Sequence, residues 1–408
     1  MNPNSKIAGI ICEYNPLHNG HLYHIQETRK HGADAIIAVM SDHFVQRGDV
    51  ALLSKFDRAE LAVKAGADLV LELPVIYSCA PAEIYASGAV KLLKNLNLIT
   101  TLSFGSSVMN PEELIQLVKN SNLILDSHRE ELRELLKSGK SYPASVAELC
   151  RIHNLEQAIL LKDANNLLAV EYLRAMQKLH ANWEIFTIPR KQVNHDSRIP
   201  GTHFASASYL REKILQNNSI ENQINSYMPK FTRELLERRL QENQFASLGF
   251  LESAILYRLR IITESKLLSL PDMTPPLAKR FLKYQNANSL EEFLTSVKTK
   301  CFTMARIRRI LIYAMLHLTR QEQAYFRENQ PYARILAFNQ KGSELLKILK
   351  KTSKIPLGTS LTKLSAQSPD AKRFAQIENR AAQIYGLAHK KITSAEQEFT
   401  YPIKELAI

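Results

Sequence analysis

The sequence predicts an α/β fold: a Rossmann-like parallel-sheet core with a helical insertion, followed by a mainly helical, basic C-terminal domain. Three observations carry this. Short β-branched apolar runs alternate with amphipathic segments through the first half, which calls for parallel strands joined by helical crossovers. Between about residues 111 and 180 the pattern turns helical. The charge is also divided: residues 1–215 hold 23 Lys and Arg against 23 Asp and Glu, while residues 216–408 hold 30 against 17, so the second half carries the whole net charge of +13.

The first strand is Ile7–Cys12, a short β-branched run. Residues 13–16 break it, because Pro16 lacks a backbone donor and pushes Asn15 out of helical geometry. His18-Asn19-Gly20-His21 then opens an amphipathic segment reaching about His31. A strand, a tight loop and a helix N-terminus in succession make an anion site, with free N–H groups and the helix dipole facing the loop. Gly20 lets a phosphate or nucleobase approach the backbone. The two imidazoles, three apart, fall on one side of the first turn and can donate to a phosphate whose charge grows in the transition state.

Further strands are expected at 34–40, 68–73 and 101–104, with helices at 55–65 and 83–96. A loop dense in polar residues (Asp42, His43, Gln46, Arg47, Gly48, Asp49) follows the second strand. Gly20 and Gly105 both sit at carboxyl ends of strands, where ligands of parallel sheets collect. In the insertion, Asn165 and Asn166 precede an apolar helical stripe, which an ordinary helix N-cap explains equally well. A strand at 183–188 runs into Arg190 and Lys191, two cations that suit a phosphate or a solvated pair. Ser206 and Ser208 start a helix with Arg211 one turn in.

A polar stretch at 217–225 marks the boundary between a first domain, 1–217, and a second, 218–408. Helices are expected at 231–240, 248–262 and 275–283. The segment 298–318 clusters Arg306, Arg308 and Arg309 beside an apolar stripe, reading either as a core helix with a charged face or as a surface for RNA phosphates. A strand at 334–338 and a helix at 342–351 form a small α/β portion near 334–360. No apolar run approaches the roughly 20 residues of a membrane span, and residues 1–9 lack the pattern of a signal peptide. The four cysteines form no CxxC pair, so neither a zinc site nor a disulfide framework is indicated and a reducing cytoplasm is expected.

His18-x-Gly20-His21 after the first strand resembles the signature of the nucleotidyltransferase superfamily, and Ser206 to Arg211 resembles its second motif. EYNPLHNGHLYH, FVQRGDVA, GADLVLELP, SFGSS, NNLLAVEYL, IPRK and FASASYLRE, in this order, extend the resemblance to the tRNA(Met) cytidine acetate ligase family over nearly the whole chain. Ser41-Asp42-His43-Phe44, Val50 and Ala164 depart from that family's pattern.

The resemblance implies a ligase that activates acetate with ATP as acetyl-adenylate, releasing pyrophosphate. It then acetylates N4 of the wobble cytidine in the anticodon of elongator tRNA(Met), releasing AMP. By position, His18 and His21 would be catalytic. The ATP site would comprise Ile11, Cys12, Glu13, Tyr14, Asn15, Pro16, Leu17, His18, Asn19, Gly20 and His21 with Gly105, Asn165, Arg190 and Lys191. Ser206 and Arg211 would hold the departing phosphates. The basic half, through Arg306, Arg308 and Arg309, would bind tRNA. Mg2+ is a natural companion of ATP, but no carboxylate cluster stands out as its ligands. The alternative is a small-molecule adenylyltransferase of the pantetheine-phosphate or nicotinate-nucleotide type, which has no use for a large basic domain. A non-catalytic RNA-binding protein on the same fold would not need His18, Gly20, His21 and Arg211 intact.

Overall fold

The computed structural model describes residues 5–108, 110–138, 140, 142–189, 203–394, 397–403 and 405–407. Its strands are β1 (Ile7–Cys12), β2 (Ala35–Ser41), β3 (Phe44–Val45), β4 (Asp49–Val50), β5 (Leu69–Leu73), β6 (Thr101–Ser106), β7 (Glu184–Pro189), β8 (Ala333–Asn339), β9 (Leu357–Gly358) and β10 (Glu405–Leu406). The helices that matter most for the site are α1 (Asn19–Lys30) and α2 (Lys55–Lys64). Among the described residues no helix is long and apolar enough to cross a membrane.

The main sheet has the order β10-β8-β5-β2-β1-β6-β7, with β9 beside β8. The five strands from β5 to β7 are all parallel, so the chain reverses its direction of travel across the sheet between β1 and β6. That switch point opens a crevice at the carboxyl ends of β1 and β6, where the β1–α1 loop and Gly105 both lie. Every residue of β2 and β5 is buried, as central strands covered on both faces require. Alternate residues feed two cores: Ile7, Ile37, Val39, Leu69 and Leu71 one, Ala8, Ile10, Ile36, Ala38, Met40 and Val70 the other.

The insertion is helical as expected, with helices Pro111–Ser127, Arg129–Lys137, Tyr142–Ile152 and Ala164–Lys178. The C-terminal segment corrects one expectation. The strand expected in the small α/β portion of the second domain, near 334–360, is β8, which pairs antiparallel with β5, and β10 pairs with β8 in turn. An open β5 edge would leave a row of backbone donors and acceptors unpaired, and β8 covers it. Both cores also continue past residue 217: Leu210 and Ile214 pack in one cluster with Ile224, Leu235 and Leu236. The polar stretch 217–225 is therefore no gap in the packing.

Candidate active site

The β1–α1 loop is built by its histidines. His18 is the N-cap of α1, with extended backbone, and its Nδ1 accepts the Gly20 N–H at 3.0 Å. His21, three residues on, turns its Nδ1 back to accept the His18 N–H at 3.3 Å. The pair is a capping box made of two imidazoles, a role usually filled by Ser or Thr with Glu. Their rings stack at 3.7 Å between centroids, and Tyr14 meets His21 edge-on at 5.0 Å. An imidazole nitrogen that accepts from a backbone N–H carries a lone pair, so in each neutral ring the proton sits on Nε2. The helix start thus presents two Nε2–H donors together with its dipole.

Gly20 also serves this arrangement directly. A Cβ at Gly20 would lie 2.9 Å from His18 Cε1, so the missing side chain is what lets the His18 ring fold over the helix end. Asn19 fastens the same turn outward, its Nδ2 donating to the Ser226 carbonyl at 2.7 Å and its N–H to Tyr227 at 2.9 Å.

The preceding residues are held from below. Ile11 pairs with Val39 on β2, while Cys12, Tyr14, Asn15 and Leu17 are buried and the Asn15–Pro16 peptide is cis. Asn15 Oδ1 accepts the Leu52 N–H at 2.9 Å, and Glu13 Oε1 accepts the Gln46 N–H at 2.9 Å. Arg58 on α2, fully buried, spans the loop base: it donates to the carbonyls of Glu13 (2.7 Å), Ser41 (3.0 Å), Asp42 (2.7 Å) and Leu53 (3.1 Å). Burial pushes the Cys12 thiol well above its ordinary range, so it is no nucleophile near neutral pH.

Gly105 lies in β6 opposite Ile188 of β7. Asn165 stands in the first turn of the Ala164–Lys178 helix, but the residue that ties this helix to the crevice is its neighbour. Asn166 Oδ1 accepts from Ser106 Oγ and the Ser107 N–H, both at 3.1 Å, and its Nδ2 donates to Ser107 Oγ at 2.6 Å. The helix is capped by Asp163, whose Oδ1 accepts the Asn166 N–H at 3.2 Å. Arg190 and Lys191 lie outside the described residues.

Ser206 caps the Ala207–Asn217 helix by accepting the Tyr209 N–H at 3.1 Å. Arg211, one turn later, donates to the Asn15 carbonyl at 2.7 Å and approaches Asp49 at 3.8 Å. This second motif therefore comes to the histidine loop from a point 196 residues away in sequence.

The three arginines of the Met304–Leu316 helix divide, which corrects the reading of all three as a surface for phosphates. Arg309 is 7% exposed and ion-paired with Asp272 at 2.9 Å, and Arg306 donates to the Asp272 carbonyl at 2.6 and 2.9 Å. Both stitch their helix to the Asp272 loop. Arg308 is half-buried and makes neither contact, its Nε buried without a hydrogen-bond partner. The same helix packs on the β3–β4 hairpin: Gly48 has φ of +70°, and a Cβ there would lie 2.4 Å from the Arg309 nitrogen. Only glycine fits that turn.

Asp42, Glu72 and Glu378 bring carboxylate oxygens within 4.8 Å of one another, deeply buried. They do not fit Mg2+. Lys55 Nζ lies 2.9 Å from Asp42 and 2.7 Å from Glu398 and also bonds Glu72, while Arg334 bonds Glu398. The negative charge is met by cations of the chain itself, whereas Mg2+ keeps several waters and an open octahedron.

A profile of the HIGH nucleotidyl transferase family matches residues 5–399. A protein of Thermoanaerobacter sp. (strain X514) named tRNA(Met) cytidine acetate ligase is 38% identical over 409 residues, spanning 98% of this chain and 100% of its own. One of the same name from Clostridium novyi is 32% identical, spanning 97% and 99%. The crystal structure of Thermotoga maritima TmcAL in its apo form superposes with a TM-score of 0.91 at 29% identity, over 97% of this chain and 98% of that one. Its form bound with alpha-thio ATP gives 0.88 at 29% identity, over 96% and 98%.

Proposed function

We infer the reaction from one premise: the chain belongs to the HIGH nucleotidyl transferase family and, within it, to the tRNA(Met) cytidine acetate ligases. It is an ATP-dependent ligase whose product is N4-acetylcytidine in tRNA(Met). Acetate is the acyl donor and the wobble cytidine of the anticodon the acceptor.

In the first half-reaction an acetate oxygen attacks the α-phosphorus of ATP. The bond from that phosphorus to the bridging oxygen breaks, and pyrophosphate leaves with the electron pair. The Nε2–H groups of His18 and His21 stabilise the charge that gathers on the phosphate oxygens. Arg211 and the Ser206 helix start support the phosphate tail, Gly105 borders the nucleotide, and the family resemblance adds Asn165 to that side. No side chain forms a covalent intermediate; holding acetate in line with the phosphorus is the protein's contribution. In the second half-reaction N4 of cytidine attacks the acetyl carbonyl carbon, N4 loses one proton and AMP departs.

The basic second half receives the tRNA. An anticodon loop offers unstacked bases that a protein can read on their edges while the stem is held through phosphates. With tRNA as substrate the enzyme works in the cytoplasm. A small-molecule adenylyltransferase is not favoured, because full-length relatives carry the ligase name.

The observation that carries this reading is the histidine capping pair at the switch point of the sheet. The test is to incubate the purified protein with ATP, labelled acetate and total tRNA and to analyse nucleosides by mass spectrometry. Labelled N4-acetylcytidine is expected, and tRNA without label would overturn the reading.

A further inference from the structure

The helical insertion carries a second histidine pair, far in sequence from the first. His128 precedes the Arg129–Lys137 helix as its N-cap residue, and His153 follows the Tyr142–Ile152 helix. Their rings stack at 3.5 Å between centroids. The carboxylate of Glu131 bridges them, Oε1 lying 2.8 Å from His128 Nδ1 and Oε2 3.0 Å from His153 Nε2. One ligand atom from each residue fits within a 4.8 Å span.

We propose that His128, Glu131 and His153 form a binding site for a divalent transition-metal ion, with Zn2+ the best match. Imidazole and carboxylate are the donors such borderline ions prefer. Zinc bonds of about 2.0–2.1 Å in a tetrahedron put ligand atoms about 3.3 Å apart, close to the nitrogen-to-oxygen separations here. All three side chains are partly exposed, so water can fill the fourth position. The magnesium that accompanies ATP is a hard ion and would not choose two imidazoles.

The site has a structural use. The Arg129–Lys137 helix buries none of its residues fully, and a helix of nine residues has little stability of its own. A metal bound to residues at its start and at the end of the next helix would pin it to the insertion.

The test uses the untagged full-length chain. Zn2+ is titrated against a chromophoric chelator near neutral pH, with Co2+ absorption as a coordination readout and thermal melts with and without zinc. One zinc per chain, a tetrahedral Co2+ band and a zinc-dependent rise in Tm are expected. His153→Ala and Glu131→Gln should each weaken binding at least about tenfold and abolish the band. Circular dichroism checks that both variants fold, and both residues lie on the partly exposed surface. Absence of saturable Zn2+ binding, or binding changed less than about twofold in both variants, overturns the proposal.

Discussion

His18 and His21 stack at 3.7 Å, each with Nδ1 committed to a backbone N–H of the turn that carries it. The helix cap and the donors proposed to act on the phosphate thus belong to the same two rings. Capping fixes the tautomer, and the tautomer aims the proton.

This makes a separation testable at His18. Asparagine is as good an N-cap acceptor but lacks the second nitrogen. His18→Asn should change stability by less than about 0.5 kcal/mol while tRNA acetylation falls about a hundredfold or more. Urea denaturation and an acetylation time course measure the two. A large stability loss with proportionate activity would mean that the ring serves the fold alone.

Arg58 joins four carbonyls from three segments under the β1–α1 loop. Arg58→Met should leave these acceptors buried without donors and cost about 3 kcal/mol or more. A Tm lowered by several degrees with weakened ATP binding is expected in thermal melts run with and without ATP.

How much of this was legible in the sequence follows from where each partner lies. The parallel sheet and the histidine loop are local patterns, so both could be read directly. The 333–339 strand was readable as a strand, but its place against β5 is a contact between distant segments. Arg58 sits in an α2 whose neighbouring residues Phe56, Ala59, Leu61 and Ala62 look like any sheet-facing stripe, and its acceptors are backbone atoms that leave no trace in sequence. Asn166 could have been preferred to Asn165 had the Ser106-Ser107 pair been taken as its partner. The arginine cluster misled because the charge that neutralises Arg309 belongs to Asp272, 37 residues earlier in a turn.

That division predicts opposite phenotypes for neighbouring residues. Arg309→Ala should break a buried ion pair and destabilise the protein by about 3 kcal/mol, seen as a lower Tm. Arg308→Ala should leave Tm nearly unchanged, weaken tRNA binding and reduce the slope of log affinity against log salt by about one. Filter binding across a salt series decides this, and an unchanged slope removes Arg308 from the tRNA surface.

His43, buried against Tyr385 at 4.0 Å, gives a pH dependence. Burial, with Lys55 and Arg58 nearby, outweighs the Glu398 contact and lowers its pKa to about 4. A histidine in the unfolded chain titrates near 6.5, so between those values the unfolded state binds the extra proton. The stability held by neutral His43 is therefore full above about pH 6.5 and is lost as pH falls towards 4. His43→Asn should flatten this slope by up to about 1.4 kcal/mol per pH unit, measured by denaturation at pH values across that window.

The most direct test of the central claim is acetate-dependent ATP–pyrophosphate exchange without tRNA. The wild-type chain should return labelled pyrophosphate to ATP only when acetate is present, and a folded His21→Ala variant should lose that exchange. Exchange that ignores acetate, or that survives in His21→Ala at the wild-type rate, would contradict acetate activation at the histidine loop.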